Sequence, residues 1–552
     1  MNVIARIMKN GVRIILPLIF LFTDHTLTQA QEFSYFYRVS FMDKGANTLS
    51  MFSPSDLLSQ KAIDRRLKSG IEVPDYNDLP VSREYINQIS ALGFTLHCTS
   101  RWMNTALFKT KDETEISPLL ALSFVSDVEL VKRPAGKSSF ADKLETITTA
   151  DAPPPYDRPL TMVNGYPLHN AGYDGSGILI AVLDGGFLYV DKASSLALLR
   201  SRNGIKYTYD FVYNNTYVYS YHTHGTMVLS ILAGQISNAI RGTAPGADFL
   251  LLRTEDVATE FPVEEDYWAA GAEFADSAGA DIISSSLGYY EFDDPLMNHT
   301  FADLDGNTTF ITRAADIAAS KGILVVNSAG NERNKPWLRI IAPADGDSVL
   351  ASAAVDGSNK ISSFSSAGPS ADGQVKPDIA TMGVSIVVQA NEKQLARSNG
   401  TSFSCPVLSG MTACLMEAVP EADAMEIIHA LHSSADRYNN PDSLYGYGIP
   451  DMNRALLTLQ DLYLVIPDNE SVVSPNPTTG EVEIIFNQPP GRLRTDIVTS
   501  AGVVIYSKDY GEYAGRNLLL TALNNTEQGL YLIRLATATG TYTHKVVRLR
   551  EK

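Results

Sequence analysis

Apolar strand-like segments alternate with helical segments from about residue 160 to residue 464, and this alternation constrains the fold more than any other feature. The clearest strand-like runs are 177–183, 248–253, 280–286 and 322–328. The helical runs between them include 225–234, 266–278 and 312–320. A crossover helix returns the chain to the same end of the sheet, so successive strands become parallel. The pattern therefore predicts an α/β fold, a parallel sheet with helices on both faces.

Length and composition place this core in a larger, globular chain. The 552 residues correspond to three or four domains at about 150 residues each. Hydrophobic residues at 45% and charged residues at 19% exclude a mostly disordered chain, a collagen or a coiled coil. The net charge of −18 disfavours a nucleic-acid partner. With only three cysteines the chain cannot rely on a disulfide framework, so it must bury an apolar core.

The first 30 residues have the order of a secretory signal. Basic residues precede the apolar run 14–22, and small residues follow it. That run is far shorter than the roughly 20 residues that span a bilayer, and it is interrupted by Pro17. No later stretch is long and apolar enough to cross a membrane. We therefore expect residues 1–30 to be a signal peptide and the mature chain to be exported and soluble.

Two smaller blocks flank the parallel-sheet block of residues 160–464. Residues 31–135 mix short strand-like and helical runs, which predicts an α+β domain. A stretch rich in Ser, Thr and Pro follows and predicts a linker over residues 136–159. Residues 467–552 contain short apolar runs separated by Gly, Asn and Pro, which predicts a β-sandwich.

Polar residues stand where two of the central segments end or begin. Asp184 ends the apolar run 178–183 and is followed by two glycines. Ligands of open α/β sheets bind outside the carboxyl ends of the strands, so Asp184 is expected at that edge. His224 opens the helical run 225–234 within the sequence His-Gly-Thr. Taken alone, Asp184 is better explained as an aspartate that opens a turn, and His224 as an ordinary core or surface histidine.

Two further peptides carry an amide and a hydroxyl. The strand-like run 322–328 leads into Ala-Gly-Asn, so Asn331 could donate a hydrogen bond to a developing oxyanion. Ser402 lies in Gly-Thr-Ser at the start of an apolar helical run, with Pro406 expected in the first turn of that helix. A serine here can simply be an N-cap, although a helix start also stabilises negative charge.

Together the four peptides closely resemble the subtilisin-like serine peptidase family, S8. Asp, His, Asn and Ser occur in that order, each with a glycine within two residues. The resemblance covers about residues 160–460 and extends to Gly-Thr-Ala-Pro at 242–245. It also includes Ser286, Leu287 and Gly288, which in the family form the edge that pairs with the substrate backbone.

The resemblance implies a role for each matched residue. Ser402 would be the nucleophile, His224 the general base and Asp184 the group that orients the imidazole. Asn331 would form the oxyanion hole together with the backbone N–H of Ser402. The related sedolisin family uses Glu in place of His, so His224 decides against that family and against an acid-optimum enzyme.

The residues after Ser402 depart from the best-known members, which carry Met and Ala where Phe403 and Ser404 stand here. Both replacements are small or apolar, so we expect Ser402 to remain functional. Cys405 and Cys414 are predicted to lie on one helix, about 13.5 Å apart at 1.5 Å per residue. This is too far for a disulfide, which predicts buried free thiols.

The flanking blocks resemble a propeptide and a secretion signal. In this family an α+β domain before the peptidase helps it to fold and blocks its cleft, and the alternative is a permanent accessory domain. We expect self-cleavage between Val131 and Thr161. The peptides 474–480, 528–534 and 545–548 resemble the type A sorting domain of the type IX secretion system of Bacteroidota. A carbohydrate- or protein-binding sandwich is the alternative for that block.

The sequence thus predicts a secreted serine endopeptidase, made as a zymogen and carried through the periplasm to the medium or the outer cell surface. Its partners would be polypeptide substrates, its own propeptide and the type IX machinery, without nucleic acid or a transmembrane span. The alternative from another class is a catalytically silent surface adhesin on the same fold. A maturation protease or peptide ligase would share the acyl-enzyme and differ in the leaving group.

The chemistry is expected to need no cofactor, and no metal-binding residue is assigned. Calcium is common in the family, and two acidic segments could bind it: Asp293 with Asp294, and residues 303–307. The second segment lacks the full calcium-loop pattern. The alternative for both segments is an acidic loop that is simply solvated, which is the more common case.

Overall fold

A computed structural model of the protein describes residues 35–134, 155–463 and 471–549. The predicted signal peptide and most of the predicted linker lie outside the described residues. The last two linker residues belong to a helix that begins at Arg158.

The N-terminal domain is an antiparallel sheet with helices in its connections. Its elements are β1 (Tyr35–Phe41), α1 (Pro54–Leu57), α2 (Gln60–Lys68), α3 (Arg83–Ala91), β2 (Thr95–Ser100), β3 (Thr105–Thr110), α4 (Ser117–Leu120) and β4 (Val125–Lys132), with strand order β2-β3-β1-β4. The sequence pattern predicts one helix over residues 55–68, and this prediction is wrong. Leu58 is extended and separates α1 from α2, because Ser59 caps α2 by accepting from the N–H of Ala62.

The central domain contains the predicted parallel sheet. Its elements are α5 (Arg158–Met162), α6 (Tyr166–Asn170), β5 (Leu179–Asp184), α7 (Ala197–Ser201), β6 (Ile205–Asp210), α8 (His224–Ala233), β7 (Gln235–Ile236), β8 (Ile240–Arg241), β9 (Asp248–Arg253), α9 (Val263–Ala278), β10 (Ile282–Ser285), α10 (Phe310–Ser320), β11 (Leu324–Ser328), β12 (Val349–Val355), β13 (Ile379–Met382), β14 (Ile386–Gln389), β15 (Leu395–Ser398), α11 (Thr401–Ala418), α12 (Ala424–Ser434) and α13 (Met452–Leu462). Within the described ranges, the sheet has seven strands in the order β13-β12-β11-β10-β5-β9-β6.

Helices cover both faces of this sheet, as the alternation predicts. In β5, Ile180 and Val182 pack into the apolar cluster that includes α8 and α11, whereas Leu179 and Ala181 pack into the cluster that includes α9 and α10. Strands β9 and β6 lie on one side of β5, and β10 to β13 lie on the other. The carboxyl end of β5, at Asp184, is therefore where an open parallel sheet forms a ligand crevice.

The C-terminal domain consists of strands in two sheets. They are β16 (Ser471–Ser474), β17 (Val482–Phe486), β18 (Gly491–Thr499), β19 (Val504–Tyr513), β20 (Asn517–Leu520), β21 (Gly529–Thr537) and β22 (Thr541–Arg548). The sheets have the orders β16-β17-β20 and β19-β18-β21-β22. Ile484 of one sheet and Ile497 and Ile533 of the other share one buried core, as in the predicted β-sandwich.

Candidate active site

The predicted site residues meet at the carboxyl edge of the parallel sheet. Asp184 is the last residue of β5, and His224 is the first residue of α8. Asn331 follows β11, the segment 286–288 follows β10, and Ser402 is the second residue of α11. Five separate stretches of the chain therefore contribute to one edge, which no local pattern could establish alone.

Asp184 and His224 form a buried hydrogen-bonded pair. Nδ1 of His224 lies 3.0 Å from each carboxylate oxygen of Asp184, and the two side chains are 1% and 0% exposed. A carboxylate only accepts, so Nδ1 carries the proton and Nε2 is left with a basic lone pair. Nε2 is buried and has no hydrogen-bond partner in the part of the chain that the structure describes.

Gly225 allows this pair to form. Its N–H donates to the carbonyl of Gly186 (3.1 Å), two residues after Asp184. A Cβ at position 225 would lie 2.5 Å from that oxygen, so any larger residue would force α8 away from the turn. The glycine of the His-Gly-Thr sequence is thus explained by a close backbone approach.

Ser402 is buried at the start of α11, and its environment corrects one prediction. Pro406 lies in the helix interior and not in its first turn. Because proline has no N–H, the carbonyl of Ser402 lacks its helical donor, and Oγ of Ser286 donates to it instead (2.9 Å). Oγ of Ser402 in turn donates to the carbonyl of Ser286 (3.4 Å). The described residues show no hydrogen bond between this Oγ and Nε2 of His224, a bond that is often long in ligand-free enzymes.

Asn331 lies against the same helix start. Its Oδ1 accepts from the backbone N–H of Thr401 (2.9 Å) and from the hydroxyl of Thr401 (3.1 Å). The acceptor end of the amide is therefore used within the protein, and the donor end, Nδ2, is what the side chain can offer to a ligand. Thr401 was not singled out in the sequence, although it stands directly before Ser402 in the same motif.

The segment 286–288 is anchored at both ends next to Ser402. Beyond the contact of Ser286 with Ser402, the carbonyl of Leu287 accepts from Nδ2 of Asn327 (3.0 Å). The following residue, Tyr289, exchanges two backbone hydrogen bonds with Ala342 (2.8 and 3.1 Å). These contacts fix the segment as a neighbour of the serine.

The central domain of this chain is similar to known proteins. Residues 175–448 match the family model described as the subtilase family. Subtilisin E of Bacillus subtilis (strain 168) is 30% identical over 300 residues, which cover 54% of this chain and 70% of subtilisin E. The chain belongs to the subtilase family. A thermophilic serine proteinase of Bacillus sp. (strain AK1) is 29% identical over 275 residues, which cover 50% of this chain and 60% of that relative.

Two solved structures are similar to part of this subtilase. The prenylagaramide maturation protease PagA is 24% identical with a TM-score of 0.43, covering 53% of this chain and 98% of that protein. MycP1 from Mycobacterium smegmatis is 21% identical with a TM-score of 0.44, covering 61% of this chain and 91% of that protein. The chain thus spans nearly all of both proteins, but only 60% of the Bacillus AK1 proteinase.

The flanking domains of the subtilase also match known families. Residues 36–145 match the peptidase S8 propeptide domain of Bacteroidota, and residues 472–548 match the secretion system C-terminal sorting domain. A sorting domain of this kind indicates secretion or attachment to the cell surface. Among the described helices, the structure shows none with the length and apolar character that a membrane crossing requires.

The propeptide domain docks onto helix α9 through buried ion pairs. Arg38 donates to both carboxylate oxygens of Asp266 (2.7–3.0 Å), and Arg66 pairs with Asp276 (2.5 Å). Glu273, between them on the helix, accepts from the backbone N–H groups of Arg101 and Trp102, directly after β2. Removing one partner of a buried ion pair leaves the other charge buried and uncompensated. These ion pairs therefore oppose separation of the propeptide domain from α9.

The three peptides that predicted the sorting domain lie together. Asn476 and Thr478 both bond to Val547 of β22. The N–H of Val547 donates to the side-chain Oδ1 of Asn476 (2.9 Å), and the N–H of Thr478 donates to the carbonyl of Val547 (2.8 Å). Strands β21 and β22, which carry the other two peptides, pair directly. The first and last parts of the domain are thus joined.

The cysteines of α11 are free and buried, as predicted. Burial raises the pKa of the Cys405 thiol to about 11, so it is a thiol and not a thiolate near neutral pH. Its Sγ contacts the carbonyl of Ser285 (3.4 Å). Both features argue against Cys405 as a nucleophile.

The acidic segments named as calcium candidates are engaged with protein groups. Asp294 pairs with Arg133 of the propeptide domain (2.5 Å), and Asp293 accepts from the N–H of Glu260 (3.1 Å). Asp303 and Asp305 accept from nearby backbone and hydroxyl groups within their own turns. A different group, which the sequence did not single out, has carboxylate oxygens within 4.8 Å of one another: Glu255, Glu260 and Glu264.

Proposed function

We propose that this subtilase is an exported serine endopeptidase that cleaves polypeptides through an acyl-enzyme on Ser402. The observation that carries the proposal is the buried Asp184–His224 pair, whose Nε2 has no protein partner in the described residues, at the sheet edge where α11 presents Ser402. This arrangement supplies a nucleophile, a base and a group that fixes the tautomer of that base.

The residues would divide the chemistry as follows. Oγ of Ser402 attacks the scissile carbonyl while Nε2 of His224 takes its proton, and Asp184 stabilises the imidazolium. The oxyanion accepts from Nδ2 of Asn331 and from the backbone N–H of Ser402. When the C–N bond breaks, His224 returns the proton to the leaving amine. Water then attacks the acyl-enzyme, with His224 again acting as base, and releases Ser402.

The segment formed by Ser286, Leu287 and Gly288 would pair with the substrate backbone. Its anchoring beside Ser402 supports this role, because an extended peptide held there brings its carbonyl to the hydroxyl. The chemistry needs no metal ion or organic cofactor in this proposal.

We further propose that the precursor removes its own propeptide domain, residues 31–135. Helix α5 belongs to the peptidase domain, because Arg158 donates to the carbonyl of Gly357 (2.8 Å) and Leu160 is fully buried. The cleavage site is therefore expected after Lys132, the end of β4, and before Arg158. Purified active enzyme that still carried residues 33–132 covalently attached would contradict self-processing.

The sorting domain would carry the protein from the periplasm across the outer membrane through type IX machinery. The match of residues 472–548 and the joined motif peptides support this route. The proposed partners are thus polypeptide substrates, the propeptide domain and the secretion machinery.

Labelling with a fluorophosphonate probe, combined with intact mass, tests the nucleophile. Wild type should label and lose the N-terminal block, and Ser402→Ala should do neither. Ser404→Ala is the matched control, since Ser404 is buried two residues further along the same helix and should behave like wild type. If mature, folded wild type never labelled, the fold would serve binding, as the adhesin alternative requires.

A further inference from the structure

A buried arginine lies beneath the turn that follows Asp184. Arg253 is the last residue of β9, and its side chain is 1% exposed. Its Nε donates to the carbonyl of Gly185 (3.1 Å), the residue directly after Asp184. The next residue, Thr254, donates its N–H to the carbonyl of Asp184 itself (3.1 Å). The end of β9 therefore holds the turn by two adjacent hydrogen bonds.

The guanidinium of Arg253 is fixed from the opposite side. Its Nη1 donates to both carboxylate oxygens of Asp210 (3.0 and 3.3 Å). Asp210 is held by the N–H groups of Val212 and Tyr213, and the ring of Tyr221 covers the guanidinium at 3.8 Å. The guanidinium of Arg253 is planar and rigid, so fixing its Nη1 against Asp210 also fixes the Nε that donates to the carbonyl of Gly185.

The same turn is also tied to the helix of the histidine. The carbonyl of Gly186 accepts from the N–H of Gly225, one residue after His224. Residues 184–186 thus have three consecutive carbonyls bound, two by the end of β9 and one by α8. Loss of the middle bond would leave the carbonyl of Gly185 buried without its donor and free the turn to shift against α8.

We propose that Arg253 is a positioning residue that fixes the Asp184 turn and thereby sets the geometry of the Asp184–His224 hydrogen bond. This inference rests on the proposed peptidase function. A guanidinium is needed because one group must reach Gly185 and Asp210 at once, which a lysine ammonium can do only in part.

The test compares Arg253→Met and Arg253→Lys with a control in the full chain. Arg202→Met is the control, because Arg202 pairs with Asp248 at the opposite end of the same strand, nearer the surface. Arg253→Met should lower kcat on the order of 10²-fold, as misplaced catalytic groups do, with KM changed less than about threefold. Arg253→Lys should fall between wild type and Arg253→Met, and Arg202→Met should match wild type.

A proton NMR spectrum provides the readout that a purely structural role would not move. The Nδ1 proton of His224, shifted far downfield by its bond to Asp184, should move upfield or broaden in both Arg253 variants and stay in place in Arg202→Met. If Arg253→Met does not fold, the lysine variant decides: wild-type kcat with an unchanged Nδ1 resonance would overturn the proposal. If wild type itself neither labels nor cleaves, the proposed function fails instead.

Discussion

Thr401 fixes the orientation of the Asn331 side-chain amide. Thr401 occupies the Oδ1 of Asn331 with two hydrogen bonds, so the amide cannot turn its acceptor toward a ligand without losing both. The donor end is held ready before any substrate binds. Preorganised donors of this kind stabilise charge in a transition state without reorganisation.

Replacing Asn331 should therefore slow turnover more than binding. We expect Asn331→Leu to lower kcat about 10²–10³-fold with little change in KM, because removing an oxyanion-hole donor of a subtilisin, a member of the same family, has an effect of that size. Asn331→Asp keeps the acceptor for Thr401 but loses the donor, so it should lose as much activity while remaining folded. Steady-state kinetics and a melting curve check this, and near-wild-type kcat in Asn331→Asp would contradict it.

The sequence alone was enough to propose four polar residues for the site, because each stands in a short local motif. It could not identify Arg253, since an arginine at the end of a strand has no local signature and its partners, Gly185 and Asp210, come from other segments. The hydrogen bond from Ser286 to the carbonyl of Ser402 could not be predicted for the same reason. Contacts between distant segments arise from tertiary packing.

At the scale of elements, α11 is the helix on which the site depends. Pro406 removes one hydrogen bond from its interior, and the hydroxyl of Ser286, from the connection after β10, replaces it. The helix and the segment 286–288 are thereby linked at Ser402, the proposed nucleophile. A proline inside a helix usually weakens it, but here the carbonyl that Pro406 leaves without a donor joins α11 to Ser286.

A double-mutant cycle should reveal this link. Ser286→Ala leaves the buried carbonyl of Ser402 without a donor, which costs about 1–3 kcal/mol of unfolding free energy. In a Pro406→Ala background the new N–H can bond that carbonyl, so Ser286→Ala should cost less there. Chemical denaturation of the inactive Ser402→Ala precursor measures both costs without autolysis, and strictly additive costs would refute the link.

The strands of the central sheet could be predicted where the sequence contains a clear apolar run. Strands β5, β9, β10 and β11 appear within a few residues of their predicted bounds. Strands β12 and β13 were not predicted, because β12 is built largely of alanine, serine and valine and β13 has only four residues. Both are buried on both faces, so neither shows the alternation that marks a strand.

At the scale of the whole molecule, the propeptide domain and the peptidase share one apolar cluster around α9. Phe36, Trp102 and Val131 of the first domain belong to the same buried cluster as Trp268 and Ala269 of the second. The buried ion pairs at Asp266 and Asp276 surround this contact. Separating the domains would expose both apolar surface and unpaired carboxylates, so both interactions oppose separation.

Docking should weaken in acid because of His97. Its Nε2 donates to the carbonyl of Phe211 across the interface (2.9 Å). Burial, aided by the charges of Lys109 and Lys132, lowers the pKa of His97 from 6.5 to about 4. A histidine with a lowered pKa contributes its full stability above pH 6.5, and that contribution is lost progressively as the pH falls toward 4.

Melting of the Ser402→Ala precursor near neutral pH and at about pH 5 tests this expectation. His97→Gln keeps a donor for Phe211 but cannot titrate, so its melting point should fall less on acidification than that of the parent. His429→Gln is the control, since His429 is exposed on α12 and should track the parent. An equal fall in all three chains would rule out His97 as the titrating group.

The first residues of the sorting domain bond to its last described strand, β22. Asn476 and Thr478 at its beginning have their partners on β22, some seventy residues later. A chain that ends early, or is clipped before residue 541, lacks the strand that both need, so its domain remains open.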